Sequence, residues 1–177
     1  SMSVNKPEIV TQKRIISLFK NPDLLGYTYL GNYETRENNS NVEQELLIKF
    51  LEKKYDSTLI KKAISELEKV ITNQNKSLYN INKEVYSLLR YGIKVKDNVG
   101  DNKQTVWLID WDNSEKNDFY IAEEVTIQGQ NDKRPDIVLY VNGIALVVLE
   151  LKRSSISVSE GIRQNLDNQK SEFIKNF

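Results

Sequence analysis

Asp136, Glu150 and Lys152 are the residues whose types and spacing could do chemistry. Asp136 opens the apolar run Ile137–Val141, and Glu150 and Lys152 close a second, Ile144–Leu151. Both runs are rich in β-branched residues, as strands in the buried middle of a sheet are. Ionisable groups at the open end of such strands are costly unless they have a partner or a task. Two carboxylates and an ammonium meeting at one point can hold a divalent cation and position a water for phosphodiester hydrolysis. The same three residues also read as a structural ion pair, Asp136 or Glu150 with Lys152, capping a sheet edge.

Strand parity decides whether the three can meet. Glu150 and Lys152 are two apart and share a face of their strand. A two-residue Asn142-Gly143 turn pairs Val141 with Ile144, and Asp136 then lies opposite Leu149, on the wrong face. A three-residue loop, Val141-Asn142-Gly143, with Gly143 left-handed in a G1 bulge, shifts the register by one. Asp136 then lies opposite Val148, diagonal to Glu150 and on the face of Lys152. The sequence therefore predicts that bulge or an equivalent irregularity near Asp136. The other face, with Ile137, Leu139, Ala145, Val147, Leu149 and Leu151, should pack on helices. Pro22-Asp23 and Glu52-Lys53-Lys54 repeat the two charged fragments elsewhere, so specificity lies in having both on adjacent buried strands with compatible parity.

The elements that must position this site fall into two stretches. In the first, Ile9, Val10, Ile15, Ile16, Leu18 and Phe19 predict a helix ending at Asn21-Pro22, and Tyr27–Tyr33 a short strand. Ser40-Asn41-Val42-Glu43 has capping-box spacing ahead of a helix carrying Leu46, Leu47, Phe50 and Leu51. Amphipathic stripes follow at Leu59–Ile71 and Leu78–Leu89, the latter with Gly92 as C-cap. From Ile93 the period changes. Ile93–Lys96 and Thr105–Asp110 read as strands around an Asn98–Asp101 turn, Phe119–Ile127 as another, then the hairpin, then a helix from about Ser159. One domain over 1–177, mainly helical to residue 92 and sheet with site from 93, predicts an α/β fold with a mixed central sheet flanked by helices.

Composition narrows the chemistry. The 177 residues include no His and no Cys, which excludes Ser-His-Asp and Cys-His catalysis and His-ligated zinc. Absence of Cys suits a cytoplasmic protein, and no stretch is apolar enough for a membrane. With 25 basic and 25 acidic residues the formal net charge is zero, so the domain alone should bind DNA weakly. Ser1 ahead of Met2 reads as a tag-cleavage scar.

The run Arg134-Pro135-Asp136-Ile137-Val138-Leu139-Tyr140-Val141-Asn142-Gly143, followed by Glu150-Leu151-Lys152, resembles the nuclease motif of the PD-(D/E)xK superfamily. It is most similar to the restriction (R) subunit of type I restriction-modification enzymes. Asn117-Asp118-Phe119, Gly161-Ile162-Arg163-Gln164-Asn165 and Trp107–Trp111 support the resemblance, which extends over nearly the whole chain. It implies a PD-(D/E)xK restriction-endonuclease-like core. It also implies a Mg²⁺-dependent endonuclease domain that cleaves double-stranded DNA in complex with methylation and specificity subunits. An ATP-driven motor would follow in the full-length subunit, and this stretch carries no phosphate-binding Gly-rich motif for ATP. The superfamily's further strand after the last helix would be missing, leaving a sheet edge open. The alternatives are a non-catalytic DNA-clamping or subunit-docking module on the same fold, and a stand-alone repair or junction-resolving nuclease.

On this reading Asp136, Glu150 and Lys152 are catalytic. The metal ligands are Asp136, Glu150 and the Leu151 backbone carbonyl, with Mn²⁺ a substitute for Mg²⁺. Glu43 falls where the family often places a further acid; the plainer reading is that it completes its capping box. Gln164 resembles the start of a Gln-x-x-x-Tyr motif, but the fifth position is Asn168; otherwise it is a solvated helix residue. Lys133, Arg134 and Arg153 can meet phosphates or serve as ordinary surface charges. Trp107 and Trp111 read as core packing ahead of base stacking. Of Glu123 and Glu124, alternation lets only one lie near the metal.

Overall fold

A computed structural model describes residues 6–96, 102–126 and 136–149. In chain order the elements are α1 (Lys6–Lys20), β1 (Thr28–Asn32), α2 (Gln44–Leu51), α3 (Ser57–Ile71), α4 (Leu78–Tyr91), β2 (Ile93–Lys96), β3 (Lys103–Val106), a single 3-10 turn (Ser114–Lys116), β4 (Phe119–Glu123), β5 (Ile137–Val141) and β6 (Ile144–Leu149). The expected mixed α/β architecture is present. The chain divides into two compact units, one made of the residues up to Glu43 and from Asn113 onward, the other of Gln44–Asp112.

The first unit holds a four-stranded mixed sheet in the order β1-β4-β5-β6. β1 runs parallel to β4, while β4, β5 and β6 form an antiparallel meander. β4 thus has partners on both sides. α1 places Ile15, Ile16 and Phe19 in the core. Pro22 cannot continue its hydrogen-bond ladder, and the chain turns back so that Tyr27 N–H donates to Phe19 O at 2.7 Å. The Phe19 and Tyr27 rings meet edge-on at 5.0 Å and Tyr27 meets Phe119 of β4 at 5.2 Å. All five residues of β5 are buried, each apolar one contributing about 1.5–3 kcal/mol.

The hairpin carries a one-residue register shift, but at another place and in the opposite sense from the expected one. Val141 pairs with Ile144, so the turn is the two-residue Asn142-Gly143. Both residues have positive φ, 53° and 87°, as a type I′ turn demands. The expected three-residue loop with a G1 bulge at Gly143 is therefore absent. The extra residue is Leu146, between the pairs Tyr140↔Ala145 and Leu139↔Val147. Beyond it Val138 faces Val148 and Ile137 faces Leu149, so Asp136 does not face Val148. The bulge also moves Ala145 to the face of Tyr140, away from Leu139. Because β5 is buried throughout, both of its faces are covered. Asn142 is fully buried; its Oδ1 accepts from Asp118 N–H at 2.7 Å and its Nδ2 donates to Asn117 Oδ1 at 2.8 Å.

The capping box at Ser40–Glu43 does not form. Val42 makes an isolated bridge with Ile144, Glu43 N–H donates to Gly143 O at 2.7 Å, and Ala145 N–H donates to Asn41 O at 2.8 Å. The segment is extended along the start of β6, so the Ser40 hydroxyl accepts from Val42 N–H. A box needs a helical turn here, and the helix starts only at Gln44.

In the second unit α3 is capped by Asp56, whose carboxylate accepts from Leu59 N–H at 2.9 Å, and α4 by Ser77. Leu59, Ile60, Ala63 and Leu67 form the buried face of α3. Gly92 ends α4 at φ 77°; a Cβ there would collide with the Thr105 methyl. β2 and β3 pair antiparallel. The strand expected over Thr105–Asp110 stops at Val106, and Leu108 and Ile109 reach the core from bends. The Trp111 indole N–H donates to Leu89 O at 2.8 Å, and Trp107 N–H donates to the Tyr55 hydroxyl at 2.9 Å.

Candidate active site

Asp136 sits half-buried immediately before β5. Its backbone carbonyl accepts from Glu124 N–H at 3.0 Å. That bond follows from the ladder, since Glu123 pairs with Ile137. The strand expected to run to Ile127 ends at Glu123, because Glu124 takes φ 56°. A left-handed non-glycine residue costs roughly 1–2 kcal/mol and persists only where its surroundings enforce it.

The two adjacent glutamates have separate fates, Glu123 ending β4 and Glu124 lying beyond it. Glu123 turns to α1 and β1: Gln12 Nε2 donates to its Oε2 at 2.7 Å and the Tyr29 hydroxyl to its Oε1 at 2.5 Å. Glu124 is the acid across the ladder from Asp136. Alternation in the sequence offered no means of telling which of the two would lie beside Asp136. Gln12 and Tyr29 carry no local signal, because their shared partner lies some ninety residues away or more.

Glu43 lies at the far end of the hairpin. Its backbone holds the turn at Gly143, and its carboxylate takes a two-pronged hydrogen bond from Arg36 at 2.8 and 3.0 Å. Five residue steps along the strand separate Asp136 from Val141, roughly 17 Å at ~3.3 Å per residue. The structure does not bring Glu43 to Asp136. The Tyr140 hydroxyl, buried near Glu43, Arg36 and Tyr33, has no hydrogen-bond partner among the described residues.

Glu150, Leu151, Lys152, Arg153 and Gln164, with Lys133 and Arg134, lie outside the described residues, as does the helix expected from Ser159. Among the described residues no group of three or more acids stands close enough to hold a metal. The last described residue of β6, Leu149, is the ladder partner of Ile137.

The buried phenols give the first unit a defined alkaline limit. Burial, the hydrogen bond to Glu123 and its charge push Tyr29 up to about 12, and burial pushes Tyr27 and Tyr140 up as well. These groups hold their protons more tightly folded than unfolded, so their contribution is complete below about pH 10 and is lost as pH rises through the folded values. Urea midpoints should fall steadily above pH 10, and Tyr29→Phe should flatten that fall. An unchanged midpoint from pH 9 to 12 contradicts it.

Over residues 5–177 the sequence matches the family described as type I restriction enzyme R protein N terminus. The chain belongs to this family. Among similar proteins of Methanocaldococcus jannaschii, "Putative type I restriction enzyme MjaVIIIP endonuclease subunit" is 40% identical over 58 residues, covering 33% of this chain and 6% of that protein. "Putative type I restriction enzyme MjaVIIP endonuclease subunit" is 40% identical over 65 residues, covering 36% and 6%. "Putative type I restriction enzyme MjaIXP endonuclease subunit" is 32% identical over 71 residues, covering 37% and 7%. The matched stretch is thus a small part of each relative's length. Among the described residues no helix is long and apolar enough to cross a membrane.

Proposed function

We propose that this type I restriction R-protein domain is a Mg²⁺-dependent endonuclease with a PD-(D/E)xK core, hydrolysing phosphodiester bonds of double-stranded DNA. The observation that carries the reading is the register shift at Leu146. It leaves Ile137 opposite Leu149; Asp136 precedes the one and Glu150 follows the other. Two peptide steps and one ladder rung limit the gap between their Cα atoms to roughly 13 Å. A ladder continued in the same phase would set both carboxylates on one face. An oxygen-only donor set in a chain without His or Cys suits a hard cation.

Asp136, Glu150 and the Leu151 carbonyl would hold the cation. When bound, Mg²⁺ supplies charge neutralisation at the scissile phosphate and a lowered pKa for water. Lys152 orients that water or faces the charge that develops on the phosphate oxygens. In the hydrolysis the water oxygen bonds to phosphorus, the bond from phosphorus to the leaving oxygen breaks, and a proton ends on that oxygen. Lys133, Arg134 and Arg153 meet neighbouring phosphates, and Gln164 lies along the DNA. Methylation and specificity subunits supply sequence choice, an ATP-driven motor in the complete subunit supplies DNA, and the assembly works in the cytoplasm.

Calorimetric titration with Mn²⁺ or Mg²⁺ tests the site. Wild type should show one site, Asp136→Ala none, and Glu43→Gln, at the other end of the hairpin, an unaltered one. Equal binding by wild type and Asp136→Ala removes Asp136 from the site. Metal binding without cleavage by the complete enzyme would point instead to a DNA-clamping module.

A further inference from the structure

The solvent face of α4 carries a stripe that the nuclease reading does not use. Tyr79, Lys83, Tyr86 and Arg90 stand at i, i+4, i+7 and i+11, one line along a helix. All four are exposed, Tyr79 to 75% and Tyr86 to 49%. Among the described residues six large hydrophobic side chains are exposed, and three are tyrosines of this helix, Tyr91 being the third. Leu89, about a quarter-turn round the helix from this line, is the residue of α4 that reaches the core.

The charges on the stripe have one sign. The acid of α4, Glu84, lies off the line and is paired with Lys76. Among the described residues no carboxylate pairs with Lys83 or Arg90. Arg90 is instead held over the Trp111 ring at 5.3 Å, a contact that uses the face of the guanidinium and none of its N–H donors. Rings alternating with unpaired cations match a polymer that alternates planar rings with anions.

We infer that the α4 stripe binds single-stranded nucleic acid, Tyr79 and Tyr86 stacking on bases while Lys83 and Arg90 meet phosphates. Stacked duplex bases present their edges, not their faces, so the rings select for unpaired strands. The two tyrosines lie roughly 10 Å apart along the helix at ~1.5 Å per residue, within reach of one short oligonucleotide. This surface needs no metal and stands independently of the site at Asp136.

Fluorescence anisotropy of the 177-residue chain with a labelled thymidine 20-mer, and with a duplex of the same length, tests this in EDTA. Tyr79→Ala and Tyr86→Ala should each weaken binding to the single strand about five- to a hundredfold and change duplex affinity less than twofold. The double substitution Lys83→Gln/Arg90→Gln should reduce the salt dependence of single-strand binding by about 1.4 in log–log slope. Asp136→Ala should bind the 20-mer as wild type does, so failure of the nuclease reading is separable. The inference is overturned if wild type does not bind the 20-mer or if the tyrosine variants bind it like wild type. It is equally overturned if they lose only the other subunits, which would make the stripe a protein interface.

Discussion

Asn142→Asp is expected to destabilise the protein by about 3–5 kcal/mol, the range for an uncompensated buried charge. Asn142 is fully buried, at φ 53°, with its Oδ1 accepting from Asp118 N–H and its Nδ2 donating to Asn117 Oδ1. A carboxylate keeps the first bond and cannot make the second. It sets two acceptor oxygens face to face away from water. Domains of this kind have only about 5–15 kcal/mol in total, so the change should remove a large fraction of the urea midpoint. Two further variants separate the causes. Asn142→Gly keeps the turn conformation and loses both side-chain bonds, at about 2–3 kcal/mol. Asn142→Ala adds roughly 1 kcal/mol for a Cβ in the left-handed region. Equal midpoints for Asn142→Asp and wild type would mean that this network does not hold the hairpin to the strand before it.

Lys152→Ala should lower DNA cleavage by the complete subunit roughly 10²–10³-fold, the loss typical of removing one donor aimed at developing charge. Its effect should be confined to the chemical step. In the proposed site the two carboxylates hold the metal, so metal affinity should not fall; removing a nearby positive charge should, if anything, raise it. ATP consumption by the proposed motor should continue at the wild-type rate. Arg at the same position should restore only part of the activity, because a planar fork cannot reproduce a compact point charge. Undiminished cleavage by Lys152→Ala would remove the ammonium from the mechanism while leaving the carboxylate site standing.

Much of the frame was legible in the residues. The helices at Lys6–Lys20, Ser57–Ile71 and Leu78–Tyr91 follow their apolar periodicity, and Gly92 ends the last of them as its left-handed conformation allows. The β5–β6 hairpin follows from two apolar runs flanking Asn-Gly. Parity called for a one-residue slip but gave neither its place nor its sense. Asn-Gly so strongly favours a two-residue turn that the slip moved to Leu146, where no turn residue marks it. The capping box failed for a tertiary reason: Asn41–Glu43 gain partners on β6 and the turn, which spacing along the chain cannot display. Likewise the choice between Glu123 and Glu124 rested on a ladder register and on Gln12 and Tyr29, both distant in sequence.

The parallel pairing of β1 with β4 has a consequence during synthesis. Thr28 lies beside Tyr120, so the first strand emerges from the ribosome roughly ninety residues before its partner exists. Over that interval Gln44–Asp112 can assemble from contacts closer in sequence, while Thr28–Asn32 waits with both edges unsatisfied. Closing so long a loop slows folding and leaves a nascent strand available to the wrong neighbour. Translation pauses placed before Phe119 should therefore raise the yield of aggregated chains more than pauses placed after Leu149.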